Sequence, residues 1–530
     1  MNRLLLFIHI ILLLISCSSD EHNSNKKVFK YNATNGISSL DPAFARNQDN
    51  IWACNLLYNG LVQTDSLLNV KPAIAKRWMI SDSGTKYTFF LHHNVYFHPS
   101  LVFKNGQGRK VIAQDFVYSL NRIYDPKTAS PGAWIFNDKI KDHGIYAVND
   151  TTLVIELKFA FPPFLGMLTM PYCFVVPYEA IDKWGRDFGT HPVGTGPFVF
   201  KEWYDGVKLN LLRNENYFEY QGIRRLPFID AVSVSFIQSK QTEFLEFTQG
   251  RLDMFNSIES SFKDELLTAE GTLQPKYQGV FSLIKSPFLN TEYLAFNVGN
   301  SPSPLTKDIH FRKAIQYAID RKTMMRYLRN NVGEPALAGF IPRGLPGFMD
   351  TIFYPYNLEK AKSELNQSSY SKGDFITLHT TKDYQDLCLY IQKQAALIGI
   401  VIKVETLPSS LIKTEKSTGK LALFRASWIA DYPDAEKYLS CFLSGNKAPN
   451  GPNYTFFENV RFDQLYLLSL KENNTEKRIA IFKNMNQLLM EDAVVLPLYY
   501  DQSLRLYQNN ISGVYTDALN SLNLKYVQKQ

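Results

Sequence analysis

This chain of 530 residues has little of what enzymes, redox proteins and nucleic-acid binders display. It holds five cysteines, and apart from Cys17 they are Cys54, Cys173, Cys388 and Cys441, far apart and without a Cys-x-x-Cys pair. That spacing excludes a zinc ribbon and a dithiol redox motif; it leaves disulfide connectivity open and makes isolated core thiols the expectation. Gly-x-Ser-x-Gly, His-Glu-x-x-His, the phosphate-binding Gly-Lys-Ser/Thr and a strand–Gly-x-Gly-x-x-Gly–helix unit are all missing. No enzyme, metal or other cofactor is therefore expected. His92, His93 and His98 form the one histidine cluster. Neighbours on a strand face opposite ways, so these are expected to be exposed strand histidines rather than ligands. Lys and Arg number 57 against 50 Asp and Glu, a net charge of +7 with the two signs interspersed; no basic block calls for nucleic acid. Beyond the N-terminus no apolar run approaches the eighteen or so residues of a membrane span.

The N-terminus itself reads as a targeting signal. Arg3 gives a positive start, and residues 4–15 form an apolar core too short to cross a bilayer. Leu14-Ile-Ser-Cys17 reads as a lipobox, with residues 1–16 removed and Cys17 acylated; a plain secretory signal with a chance cysteine is the alternative. Residues 17–27 are polar, as a tether between lipid and domain should be. Two acyl chains on one residue give the double anchor that stable attachment needs. The expected location is extracytoplasmic, in the periplasm or on the cell surface. About 500 residues remain, too many for one core, so two or three domains are expected. Aromatics are abundant at 14%; most must be core, and some can line a cleft.

Along the chain, Asn35-Gly36 marks a turn, and residues 49–58 read as a helix ended by Asn59-Gly60. Asp82-Ser-Gly84 turns into the alternating Tyr87-Thr-Phe-Phe-Leu-His92. Residues 111–122 read as a helix with Phe116, Val117 and Leu120 on one side. Ala314, Ile315, Ala318 and Ile319 form the buried stripe of an amphipathic helix. Gly194 and Gly196 permit a tight turn beside Pro197.

The most informative stretch is Phe424-Arg-Ala-Ser-Trp-Ile-Ala-Asp-Tyr-Pro-Asp434. If the strand holds to Asp431, then Arg425, Ser427, Ile429 and Asp431 share a face and Trp428 takes the other. A guanidinium near one end and a carboxylate at the other suit a zwitterion such as a peptide. An edge strand with a surface salt bridge is the plainer reading, and a general acid/base pair of Asp431 and Asp434 is disfavoured by Pro433. The segment resembles the ligand-contacting strand of extracellular solute-binding protein family 5, the oligopeptide- and dipeptide-binding proteins of ABC importers. Further blocks are similar to that family in order: Trp78 to Arg122, Pro192-Val-Gly-Thr-Gly-Pro-Phe198, Tyr293-Leu-Ala-Phe-Asn297 with residues 311–321, Ile341-Pro-Arg-Gly344, and Leu496-Pro-Leu-Tyr-Tyr500. Matches that keep their order over residues 28–527 do not arise by chance.

The resemblance implies an α/β, bilobed periplasmic-binding-protein-like fold of the peptide-binding class, with an extra subdomain and a two-strand hinge. Lobe I would comprise residues 28–60, 192–289 and 495–530, the inserted subdomain 61–191, and lobe II 290–494, with the hinge near Asn290 and Val495. It further implies that Asp431 takes a peptide α-ammonium in a pair desolvated by Trp428 or Tyr432, that the backbone of Ser427 and Ile429 pairs with an extended peptide, and that Arg425 meets the ligand carboxylate. Asn47 and Gln48 would touch ligand backbone across the cleft. Three positions depart from the family pattern: Gly132 stands where relatives carry an aromatic, with Trp134 two residues on; Ser409 stands for a pocket Trp; and Asn290 and Ile429 replace a cysteine pair. The implied function is a lipid-anchored, monomeric substrate-binding protein that passes short peptides to ABC permease and ATPase subunits. The same fold binding a metal complex, haem or an oligosaccharide is the alternative, and a surface hydrolase or adhesin a more distant one.

Overall fold

Alternation of apolar and polar residues builds the first sheet. In the computed structural model, which describes residues 26–256 and 260–530, Val28–Asn32 buries Phe29 and Tyr31 while Lys30 faces solvent. The expected signal peptide and Cys17 lie outside the described residues. Val28–Asn32 runs parallel to Ala231–Ser235, followed by antiparallel Lys208–Arg213 and Phe198–Tyr204. A second sheet is antiparallel throughout, in the order Ala75–Ile80, Lys86–Leu91, Thr152–Leu157, Ile140–Asn149. The helix Ala113–Tyr124 buries Phe116 and Leu120. It starts later than its pattern suggested because the Asp115 carboxylate accepts the Ile112 N–H (2.9 Å), capping the first turn.

The third sheet carries the site. Its order is Met254–Phe255, Val495–Gln508, Phe281–Phe296, Leu423–Ile429, Ile376–Thr380, Ile402–Thr406. The two long strands, Phe281–Phe296 and Val495–Gln508, run antiparallel through the whole molecule and join its two lobes. At one end Phe255, Phe281, Leu504 and Leu506 share a core. At the other, Leu294, Phe296, Leu423, Leu496 and Leu498 pack with Phe311, Ala314, Ile315, Ala318 and Ile319 from the helix Ile309–Ala318 and the residue after it. Between these cores the ladder slips, from Pro287 opposite Gln502 to Thr291 opposite Tyr500. Asn290 lies in that slip, whereas Val495 is paired with Ala295 inside the sheet.

Gly194 and Gly196 are explained by close approach rather than by an unusual φ. A Cβ on Gly194 would sit 1.9 Å from the Leu57 carbonyl oxygen, and one on Gly196 2.4 Å from the Leu57 carbonyl carbon. The four described cysteines are free and buried. The histidine reading needs correction. The strand ends at Leu91, before His92 and His93, and His98 is buried with Nε2 3.0 Å from the Gly196 carbonyl. Burial of an ionisable ring holds its pKa down at about 4. Among the described residues no three His, Cys, Asp or Glu side chains gather in a metal-binding group, and no helix is long and apolar enough to cross a membrane.

Candidate functional site

The strand Leu423–Ile429 pairs along one side with residues 290–296. Its ladder is bracketed by Asn297 N–H to Ala422 O and Ala430 N–H to Leu289 O, each 2.9 Å. Bonded residues alternate in an antiparallel pair. Arg425, Ser427 and Ile429 therefore turn their N–H and C=O groups toward the opposite side. There the parallel neighbour Ile376–Thr380 reaches only as far as Phe424, so among the described residues no strand covers Ser427 or Ile429. Ser427 is half-buried and Ile429 exposed. The result is a short free sheet edge.

At Ile429 that edge reaches a cavity of about 460 Å3 between the lobes. Its walls include Gln48, Tyr172, Phe288, Ile429 and Asp431, and a C-terminal segment contributes Asp517 and Leu519. This volume falls in the range of small-molecule sites. The helix Gln48–Leu57 lends the cavity a face that includes Gln48, Ile51 and Asn55. Asn47 is its N-cap and accepts the Asn50 N–H (2.9 Å), so its side chain serves the helix, while Gln48 forms part of the wall and donates to Asn520 O (3.3 Å). The C-terminal segment is held by the same carbonyl, which also accepts from Trp52 and Arg505 (both 2.8 Å).

The strand ends at Ile429, so Asp431 lies beyond it and the expected common face with Arg425 does not form. The Tyr438 hydroxyl sits at the strand's end, within hydrogen-bond distance of Leu289 O (2.7 Å) and Trp428 O (3.0 Å). The turn that follows is tied on both sides. Asp434 accepts two guanidinium bonds from Arg478 (2.6 and 3.0 Å), and Glu436 accepts from the hydroxyls of Tyr432 and Tyr466. Asp431 projects from this turn, 47% exposed, with Lys437 Nζ 3.2 Å from its Oδ2. Two expected ligand contacts are instead packing residues. Tyr432 is buried, and Trp428 packs against the core that holds Tyr438, Leu439 and Phe442, with its indole N–H unpartnered. Trp134 is half-buried, its ring 6.1 Å from that of Tyr432.

Arg425 is likewise no free cation. Its guanidinium pairs with Glu292, which is 1% exposed, and lies 3.2 Å from the centre of the Tyr384 ring. Burial works to lower the Arg425 pKa, but the charges of Glu292 and the tyrosines outweigh it and the net direction is up. Glu292 is raised above the usual carboxylate range by burial, which Arg425 offsets only in part. Asn290 donates to both Glu292 (3.0 Å) and Asp501 (3.2 Å). Across from Asn290 stands Ile429, its register partner, so the two positions that replace a cysteine pair do face each other. Asp501, Arg329 and Tyr384 line a second cavity of about 480 Å3, and Phe288 borders both cavities. Asp431 lines the first cavity, whereas Arg425 lies on the wall of neither.

Gly132 is explained by Tyr172. A Cβ at Gly132 would fall 2.5 Å from Tyr172 Cγ, so that ring fills the place of a side chain there and supplies an aromatic to the cavity from another segment. Burial, then the nearby charge of Asp431, pushes the Tyr172 hydroxyl up to about 12. Ser409 opens a helix and is exposed, away from both cavities. Tyr172, Glu292 and Lys437 went unread in the sequence: each earns its place by a contact with a residue 40, 133 or 6 positions away, and only the last is local enough to leave a trace.

The sequence pattern of the bacterial extracellular solute-binding proteins, family 5 (middle part), matches residues 69–450. The chain belongs to that family. This family 5 protein is 24% identical over 536 residues to the dipeptide-binding protein DppE of Bacillus subtilis (strain 168), with 96% of this chain and 92% of that protein covered. It is 25% identical over 487 residues to the glutathione-binding protein GsiB of Salmonella choleraesuis (strain SC-B67), with 90% of each covered. Among solved structures it is similar to DppA from Helicobacter pylori, an ABC transporter-associated periplasmic binding protein in complex with the peptide STSA. There the TM-score is 0.75 and the identity 25%, over 95% of this chain and 98% of that one. HbpA2 from Haemophilus parasuis shares the fold at a TM-score of 0.83 and 21% identity, covering 96% and 100%. The bilobed periplasmic-binding-protein fold with its two-strand connection is that of these neighbours.

Proposed function

We propose that this family 5 protein is the lipid-anchored substrate-binding component of an ABC importer, and that it captures short peptides between its lobes. The observation that carries this reading is the free edge at Ser427 and Ile429, which reaches the cavity at Ile429 beside Asp431. A free edge binds main chain and is indifferent to side-chain identity, while a carboxylate at its end selects an ammonium. The names of DppE and DppA, a dipeptide-binding protein and a peptide complex, agree with it. Asp431 takes the α-ammonium, with Tyr172 and Gln48 beside it. Arg425, held by Glu292 and lying against the Tyr384 ring, is a support of the strand and not a ligand contact.

In this reading lobe I comprises residues 28–60, 192–289 and 495–530, lobe II 290–494, and the inserted subdomain 61–191. The hinge is the slipped ladder at residues 287–291 and 500–502. Ligand that touches both lobes favours the closed form, a shift of population and not a chemical step. Cys17 carries the lipid outside the cytoplasmic membrane, and the closed monomer docks on its permease, which the ATPase subunits drive.

A second reading, a non-peptide solute in the same cleft, is favoured by the pairing of Asp431 with Lys437 and of Arg425 with Glu292. Calorimetry and small-angle scattering with di- to hexapeptides, together with mass spectrometry of ligand released from natively purified protein, separate the two. Heat and compaction with peptides support the first; a released metal complex, haem or sugar, with no peptide heat, supports the second.

A further inference from the structure

Asp431 already has a cation. The Lys437 ammonium sits 3.2 Å from its Oδ2 and 4.5 Å above the Trp134 ring. The tied turn fixes this geometry: residues 431 and 437 lie on either side of the Asp434–Arg478 pair and of Glu436, held by its two tyrosines. Two further cations stand nearby. Lys139 Nζ donates to Trp134 O (2.8 Å), and Lys437 adds to the burial that lowers its pKa. Arg46 is exposed on the wall of the same cavity. Of the other acids at hand, Glu436 is taken up by the hydroxyls of Tyr432 and Tyr466, and Asp517, on the cavity wall, accepts the N–H groups of Leu519 and Ser521. One half-exposed carboxylate therefore serves a resident ammonium before any ligand arrives.

We propose that Lys437 is a built-in competitor for Asp431, and that it, together with Asp431, sets how strongly the cleft distinguishes free from blocked peptide N-termini. This rests on the peptide reading above. An incoming α-ammonium must displace Lys437 from Oδ2 or share the carboxylate with it at close range. Displacement is cheap, because Lys437 keeps the face of Trp134 when it leaves Asp431. The tax on free amines is accordingly modest. A ligand whose N-terminus is acylated, and so uncharged, meets no such competitor and leaves the Lys437–Asp431 pair intact. Lys437 thus flattens the preference that a lone aspartate would impose, and widens the range of N-terminal chemistry the protein accepts.

The test is calorimetry of wild type, Lys437→Met and Lys437→Arg with a tripeptide and its N-acetyl form. Methionine keeps the stem over Trp134 and removes the charge. The free tripeptide is expected to bind Lys437→Met about fivefold more tightly, the strength of a half-exposed ion pair. The acetylated form is expected to be unchanged or weaker, so the ratio of the two affinities rises about fivefold, and Lys437→Arg restores the wild-type ratio. A purely structural role would move both ligands together. An unchanged ratio, or a free tripeptide that binds Lys437→Met more weakly, overturns the proposal while leaving peptide binding in place. If wild type binds neither ligand, the peptide reading itself fails and the competitor role falls with it.

Discussion

Removing Arg425 strands a carboxylate in the interior, and the consequences can be worked out from the geometry. Glu292 is 1% exposed, and its partners are Arg425 and the Asn290 amide. Breaking a buried pair by removing one partner costs about 3–5 kcal/mol. The retained Asn290 bond places Arg425→Met at the low end, about 3 kcal/mol at neutral pH. The pH dependence follows from the direction of the Glu292 shift. Its folded-state pKa is raised by burial even with Arg425 present, and losing the guanidinium raises it further. The folded state then binds more protons than the unfolded one, so stability is greatest below the unfolded value of about 4.3 and is lost as pH rises through the folded value. Arg425→Met should therefore gain stability relative to wild type as pH falls from 8 toward 5. The double variant Arg425→Met, Glu292→Gln, which removes the Glu292 charge and leaves Asp501 its Arg329 neighbour, should lie within about 1 kcal/mol of wild type at all these values. Calorimetric melting and denaturant titration across that pH range measure both. A loss below about 1 kcal/mol for Arg425→Met, or a loss that does not change with pH, would refute the assignment of Glu292 as a buried, charge-paired acid.

Three further outcomes are expected. Gly132→Ala drives a methyl into Tyr172, 2.5 Å from its Cγ; it should cost about 1–3 kcal/mol in stability and weaken peptide binding, both read by calorimetry. Asp434→Asn unties the turn from Arg478; it should weaken ligand binding through misplacement of Asp431 and lower the melting temperature, whereas a change confined to stability would deny the turn its positioning role. The four described cysteines are free and buried, so Ellman's reagent should leave them unmodified in the native protein and react with all four in denaturant.

Local pattern carried the first steps of the fold. Phe29 and Tyr31, Phe116 and Leu120, and the Ala314–Ile319 stripe are buried where period 2 or period 3.6 puts them, because each element must hide one face. The turn at Gly36 forms for the reason its residue type suggests, a positive φ of 69°. Gly194 and Gly196 were legible as required glycines but not for the right reason, since the Leu57 backbone that crowds them is distant in sequence. The site shows the same limit. Alternation tells which backbone groups of Ser427 and Ile429 leave the ladder only once the partner strand is known. That Arg425 would be claimed by Glu292, and Asp431 by Lys437, depends on which side chains the fold brings within an ion-pair distance. Trp428 and Tyr432 read as ligand contacts because an aromatic beside a carboxylate suits a cleft equally well as a core, and here the core claimed them.

The central claim is that Asp431 receives a peptide ammonium in the cleft between the lobes. A two-by-two calorimetric cycle tests it directly: wild type and Asp431→Asn, each with a free and an N-acetylated tripeptide. With Lys437 competing for the carboxylate, Asp431→Asn should weaken the free peptide by about 2 kcal/mol, roughly thirtyfold. Acetylation should weaken binding to wild type yet cause little further loss on Asp431→Asn, because the pair it removes is already broken. Additive losses, or an Asp431→Asn variant that binds the free peptide as wild type does, would contradict the account.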